Sequence, residues 1–270
     1  MLAINNITKT FNPGTVNEVK ALQGVNLEIE DGSFVCVLGT NGSGKSTMLN
    51  AVAGSFIVDS GKIILNNTDI TEWSENKRAK LIGRVFQNPF SGTAPNMSIQ
   101  ENLALALKRG KKRGLGWGLP SSLKSKFNEL LKPLNMGLEN RLENEIGKLS
   151  GGQRQALTLL MSTAIKPDLL LLDEHTAALD PKTASKVIDL TQQIISRDKL
   201  TTLMVTHSMQ QAVNLGDRII MMHQGKVAYD FKGDDKKRLK VNDLLSLFDE
   251  LRRKDNIDPA AATLLKKKYI

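Results

Sequence analysis

The chain has 270 residues, a formal charge of +9 and 40% hydrophobic side chains, enough apolar material for one large or two small globular cores. Its single cysteine, Cys36, cannot close an internal disulfide, which removes disulfide-stapled secreted scaffolds from consideration. The positive charge is uneven: Lys108, Arg109, Lys111, Lys112, Arg113, Lys124 and Lys126 put seven cations between 108 and 126 with no acid among them, whereas a nucleic-acid protein spreads its basic residues over a face.

The start, MLAINNITKT, has neither the charged opening nor the apolar stretch of a secretory leader. Apolar runs such as LLLL at 169–172 are far too short to span a bilayer. A cytoplasmic protein is expected, and any membrane part would come from another chain.

The first informative element is FVCVLG at 34–39, an apolar strand that runs through TNGSGKST into MLNAVAG. Strand, glycine turn and helix together match G-x-x-x-x-G-K-[ST], with Gly39, Gly44, Lys45 and Ser46 at the fixed positions and Asn41, Gly42, Ser43 and Thr47 completing the loop. Glycines let the backbone N–H groups face inward while the helix aims its positive end at the same point, which is a phosphate site. Lys45 then serves the β and γ phosphates of a nucleotide and Ser46 a Mg²⁺ ion. Cys36, within the apolar strand, reads as a small core side chain, and Trp73 in TEWSENKRAK as packing.

Further on, Ser98 and Glu101 form a capping box before NLALALK, which predicts a helix over about 99–108. That helix leads into KRGKKRGLGWG at 108–118, whose composition alone fits an RNA-binding tail, a membrane-surface patch or a solvated loop. In KLSGGQRQALTLLMSTAI at 148–165, Leu157, Leu160, Met161 and Ala164 recur at helical spacing. Ser150, Gly151 and Gly152 therefore open a helix and make a second anion site.

DLLLLDEHTAALD at 168–180 supplies the acidic partner. Four leucines predict a strand buried on both faces, so Asp173 and Glu174 emerge at the carboxyl edge of the sheet, Asp173 placed for Mg²⁺ and Glu174 for an attacking water. TTLMVTHS at 201–208 repeats the pattern with His207 as a γ-phosphate contact. Beyond 232, GDDKKRLK reads as a charged linker, VNDLLSLFDELRR as one amphipathic helix carrying Leu244, Leu245, Leu247, Phe248 and Leu251, and LLKKKYI as a loose basic tail.

The order of these motifs resembles the ATP-binding cassette (ABC) family, whose signature LSGGQ stands at 149–153. The resemblance covers about residues 1–230. It implies an α/β fold, a RecA-like P-loop NTPase cassette with an antiparallel β subdomain and an inserted α-helical subdomain at about 88–160, the cassette ending near 232 and the charged linker and amphipathic helix occupying 233–270. It adds Phe11, 28 residues before Gly39, as the aromatic against adenine. Gln87 in VFQNP becomes the glutamine loop, among the catalytic and metal-binding groups with Ser46 and Asp173. Asp180 becomes the dimer loop, and Ser150, Gly151, Gly152 and Gln153 contact the nucleotide of a second cassette.

The implied activity is ATP hydrolysis with Mg²⁺ in a homodimer of cassettes, Glu174, His207, Lys45 and Gln87 being catalytic. A single cassette of this length resembles bacterial transporter subunits that sit on the cytoplasmic face of the membrane beside a separate integral permease. The segment 84–119 and EHTAALD, with His175 where most importers have proline, resemble a group that works with a solute-binding protein, some members being linked to aromatic amino acids. Exporter and non-transport ATPases are the alternatives. In this setting KRGKKRGLGWG lies inside the helical subdomain, which turns it from a nucleic-acid feature into a candidate contact with anionic lipid or permease, through Lys108, Arg109, Lys111, Lys112, Arg113 and Trp117.

Overall fold

The computed structural model describes residues 1–111 and 122–256. Strands β1 (Leu2–Phe11), β2 (Val19–Ile29) and β3 (Phe34–Gly39) come first, followed by α1 (Lys45–Ala53), β4 (Ser60–Leu65), β5 (Thr68–Asp69), α2 (Glu75–Arg78) and β6 (Ile82–Val85). A helical insertion follows, made of α3 (Ile99–Leu107), α4 (Ser122–Leu131) and α5 (Gly151–Thr163). The chain returns to strand at β7 (Leu169–Asp173) and continues through α6 (Pro181–Asp198), β8 (Thr202–Val205), α7 (Met209–Leu215), β9 (Arg218–His223), β10 (Lys226–Lys232), α8 (Gly233–Arg238) and α9 (Val241–Asn256).

Two sheets result. β2-β1-β4-β5 is antiparallel, and β10-β9-β3-β8-β7-β6 is parallel except for its edge strand β10. The central strands are apolar at almost every position because both faces of the parallel sheet are covered. Cys36, Leu38, Leu170, Leu172 and Met204 feed a core shared with α3, α4, α5 and α6. Their neighbours Val35, Val37, Leu169, Leu171, Leu203 and Val205 feed a second core with Met48 and Leu49 of α1 and with Leu2, Ile4 and Val25 of the antiparallel sheet. The run LLLL is thus divided between two cores, each buried leucine contributing about 1.5–3 kcal/mol.

The predicted capping box is present: Ser98 Oγ accepts from Glu101 N–H and Glu101 Oε2 accepts from Ser98 N–H, so α3 starts at Ile99. Ile99 and Leu103 of α3, Phe127 and Leu131 of α4 and Leu157 of α5 carry the first core into the insertion. Arg109 serves this packing. Its Nη1 donates to Ser162 O at 2.8 Å and its Nη2 to Ile165 O at 2.6 Å, satisfying carbonyls that the end of α5 leaves open. This corrects the expectation of a lipid contact at Arg109, because the guanidinium is committed to backbone. Lys108 and Lys111 are exposed, whereas Lys112, Arg113 and Trp117 fall outside the described residues.

The segment read as a charged linker is helical. In α8, Asp234 and Asp235 sit in the first turn and Lys236, Lys237 and Arg238 in the last, an arrangement that complements the helix dipole. Lys236 Nζ donates to Val213 O at 2.9 Å and ties α8 to α7. In α9, Leu244, Phe248 and Leu251 enter the first core, while Leu245 stays 47% exposed.

Candidate active site

Strand register brings the site together. Val85 lies opposite Leu172, Asp173 opposite Val205, and Val205 opposite Val37. The residues that follow these positions, Gln87, Glu174, His207 and the loop after Gly39, therefore leave the sheet along one edge. This is the carboxyl edge, where open α/β sheets bind ligands.

The loop after β3 is held open by backbone geometry. Gly44 has φ 97°, and a Cβ there would lie 2.6 Å from Ala21 O, so a side chain is excluded both by strain and by the approach of β2. Met48 N–H is bonded to Gly44 O at 2.8 Å, which leaves the preceding N–H groups of α1, at Lys45, Ser46 and Thr47, without intrahelical acceptors. Lys45 is buried, and its Nζ donates to Gly39 O at 2.8 Å and Thr40 O at 2.9 Å. Burial lowers its pKa, against the raising effect of Glu174 and Asp173. Ser43 Oγ is buried without a partner, while Asn41, Gly42 and Ser46 are exposed. An orphaned hydroxyl, free helical N–H groups and a lysine parked on carbonyls together fit a polyphosphate.

Glu174 emerges with φ 46°, a strained conformation for a side-chain-bearing residue. Its Oε1 lies 2.6 Å from His207 Nε2, and its Oε2 accepts from Gln87 Nε2 at 3.2 Å. Three residues separated by up to 120 positions thus share one carboxylate. Asp173, mostly buried, faces Arg84, whose Nη2 is 3.7 Å from Asp173 Oδ2. Burial raises the Asp173 pKa, with Arg84 and Lys45 working in the opposite direction.

The sequence marks His175 only as a departure from the proline of most importers, and gives no part to Thr191 or Gln211. His175 is 2% exposed and lies 3.1 Å from Thr191 Oγ1 on α6. Thr191 Oγ1 donates its proton to Val187 O at 2.7 Å, so the imidazole Nε2 is the donor in the pair. Burial holds the His175 pKa at about 4, and the ring is a neutral tie between the turn that carries Glu174 and α6. Gln211 makes a second tie, accepting from Thr206 Oγ1 at 2.9 Å and donating to Thr176 Oγ1 at 3.3 Å. The turns carrying Glu174 and His207 are thereby joined.

The remaining candidates lie apart from this cluster. Ser150 caps α5, accepting from Gln153 N–H at 3.3 Å, with Gln153 Oε1 accepting from Ser150 N–H at 3.2 Å. Gly151 and Gly152 form the first turn, and a Cβ on Gly152 would fall 2.0 Å from Thr183 Cγ2 of α6. Asp180 caps α6 through Thr183 N–H at 3.0 Å. No hydrogen bond or ion pair among the described residues joins 150–153 to the phosphate loop. Phe11 is 36% exposed and edge-on to Phe56 at a centroid distance of 5.4 Å. It ends β1 opposite Val19 of β2, whose Ala21 touches Gly44. Trp73 packs against the second core, with Lys77 Nζ 3.8 Å above its ring.

Among the described residues no group of three or more His, Cys, Asp or Glu could hold a metal ion. The oxygen set of Ser46, Asp173 and Gln87 fits a Mg²⁺ completed by phosphate oxygens and water, the usual way that ion is bound.

A parallel sheet with a phosphate loop, an acidic strand end and a polar residue at the third strand defines a P-loop nucleotide hydrolase of RecA-like architecture. Residues 22–177 match the ABC transporter family, and the chain belongs to that family. It is 45% identical over 253 residues to the tyrosine transport ATP-binding protein of Clostridioides difficile (strain R20291), an alignment covering 92% of this chain and 99% of that one. It is 37% identical over 227 residues to the sulfate/thiosulfate import ATP-binding protein CysA of Synechocystis sp. (strain ATCC 27184 / PCC 6803 / Kazusa), where it covers 84% of this chain and only 59% of the relative. Among solved structures, a dimeric ATP-binding cassette in a post-hydrolysis state with ADP and Pi superposes with a TM-score of 0.73 at 32% identity, covering 86% of this chain and 98% of that one. The chain is an ATP-binding, ATP-hydrolysing cassette. No described helix is long and apolar enough to cross a membrane.

Proposed function

We propose that this cassette energises solute import through a separate membrane permease, and that its cargo is an amino acid of the aromatic type. The observation that carries the hydrolytic reading is the Glu174 carboxylate held between His207 Nε2 and Gln87 Nε2 at the edge that bears the phosphate loop. The cargo reading is supported by the likeness to a tyrosine transport protein over nearly the full length of both chains.

In this reading Phe11 stacks on the adenine, and Gly39, Asn41, Gly42, Ser43, Gly44 and Thr47 line the polyphosphate. Lys45 exchanges its two carbonyl acceptors for phosphate oxygens. Ser46, Asp173 and Gln87 would hold Mg²⁺, which would supply positive charge beside the phosphates. Release of the Gln87 Nε2 bond would free Glu174 Oε2 to accept a proton from the attacking water. His207 Nε2 turns its N–H from Glu174 Oε1 to the γ phosphate.

Ser150, Gly151, Gly152 and Gln153 of a second copy close over the phosphates, with Asp180 beside them. Two copies therefore open and close with the state of the nucleotide. The permease receives that motion at a groove of about 730 Å³ behind the glutamine loop, lined by Arg84, Phe86, Asn102, Leu105 and Lys111. In this reading the cassette sits on the cytoplasmic face of the membrane, with a solute-binding protein acting indirectly through the permease. Lys108 and Lys111 are the described cations of the basic stretch available to anionic lipid.

Glu174→Gln should retain ATP binding, lower turnover by about 10²–10⁴-fold and accumulate an ATP-bound dimer on size exclusion. Near-normal turnover would remove Glu174 from its role. Reconstitution with the cognate permease in vesicles should give ATP-dependent uptake of tyrosine; efflux, or uptake indifferent to aromatic amino acids, would overturn the transport assignment.

A further inference from the structure

Arg84 belongs to none of the motifs that define the site, yet its guanidinium is the cation nearest to Asp173. It projects from β6 with a side-chain exposure of 13%, facing an Asp173 side chain exposed by 15%. Nη2 lies 3.7 Å from Asp173 Oδ2 and also donates to Asn50 Oδ1 of α1. Nη1 donates to Ser55 Oγ at 3.0 Å and lies 3.7 Å from Glu75 Oε1, itself half exposed. The guanidinium plane rests over Phe86 at 4.4 Å, immediately before Gln87. Lys45, the other cation facing Asp173, has its ammonium bonded to Gly39 O and Thr40 O. Arg84 is therefore the described cation that stands within ion-pair distance of this carboxylate.

We infer that Arg84 is a positioning residue for the metal-binding carboxylate, a resident countercharge that holds Asp173 oriented before Mg²⁺ arrives and yields it when the ion binds. The inference rests on the reading of Asp173 as a Mg²⁺ ligand. Two consequences have opposite signs. Without Mg²⁺, loss of Arg84 leaves an unbalanced carboxylate close to the phosphates and weakens nucleotide binding. With Mg²⁺, the ion no longer competes with a guanidinium, so the gain in affinity on adding it grows. A purely structural role would weaken binding alike under both conditions.

The test is equilibrium binding of a non-hydrolysable ATP analogue to the full chain, in EDTA and in saturating Mg²⁺, read as the ratio of the two Kd values. Arg84→Met should raise this ratio by at least about threefold, the scale of one partly desolvated ion pair, while Arg84→Lys should keep it within about twofold of the parent. Arg84→Gln, which retains donors for Asn50 and Ser55, reads the same ratio should the Met variant fail to fold. An unchanged ratio in the neutral variants, or an equal weakening in both conditions, overturns the inference. If the parent protein shows no gain in affinity with Mg²⁺, or Asp173→Asn leaves that gain intact, the reading of Asp173 fails instead.

Discussion

At the scale of the residue, His175 illustrates how position separates neighbours in sequence. Glu174 points along the sheet edge to Gln87 and His207, whereas the next side chain is sealed against α6 on Thr191. With its pKa held at about 4 against an ordinary 6.5, the folded His175 stays neutral where the unfolded chain takes up a proton. Its contribution to stability is whole above about pH 6.5 and declines as pH falls towards 4, by a total of ~3 kcal/mol. In His175→Gln the fall in urea midpoint between pH 7 and pH 4.5 should be visibly shallower than in the parent. Parallel pH profiles would show that the imidazole does not titrate on unfolding.

At the scale of the element, the signature helix α5 meets α6 where neither can give way. Gly152 brings the backbone of α5 against Thr183, and Asp180 fixes the start of α6 at that same residue. Gly152→Ala would drive a methyl into Thr183 Cγ2 and should destabilise the protein by about 1–3 kcal/mol. Adding Thr183→Ser removes that methyl, leaves the N–H bonded to Asp180, and should recover most of the loss in denaturant unfolding. Absence of recovery would mean that the glycine is required for its backbone and not for the space beside it. The legible part of this element was its start, since Ser150 and Gln153 encode a capping box locally. Thr183 was not legible, because nothing within α5 records what packs against it.

At the scale of the whole molecule, one parallel sheet divides the hydrophobic interior in two, and the C-terminal helix closes the side away from α1. Phe248→Ala should cost about 3 kcal/mol of stability, while the ATP affinity of the folded protein stays within about twofold. Leu245→Ala, on the exposed side of α9, should change stability by less than about 0.5 kcal/mol. A loss of nucleotide affinity at Phe248 without loss of stability would give α9 a role at the site instead of in the core.

The sequence by itself determined the strand, glycine loop and helix at 34–53, the buried strand of LLLL and the starts of α3 and α5. Glycine spacing after FVCVLG, the acidic pair after LLLL and the capping boxes at Ser98 and Ser150 are local patterns, set by backbone sterics and by the period of apolar residues. GDDKKRLK reads as a charged linker from its run of charges, and the structure makes most of it the short helix α8, tied to α7 through Lys236. The sequence also grouped Arg109 with a surface patch, because composition does not say which cations have carbonyls waiting for them.

Only the tertiary structure decided that Gln87, Glu174 and His207 share one carboxylate, that Arg84 stands beside Asp173, and that His175 is excluded from the cluster. Strand register and the burial of particular side chains set those relations. Both depend on contacts between segments far apart in the chain, which no local pattern contains.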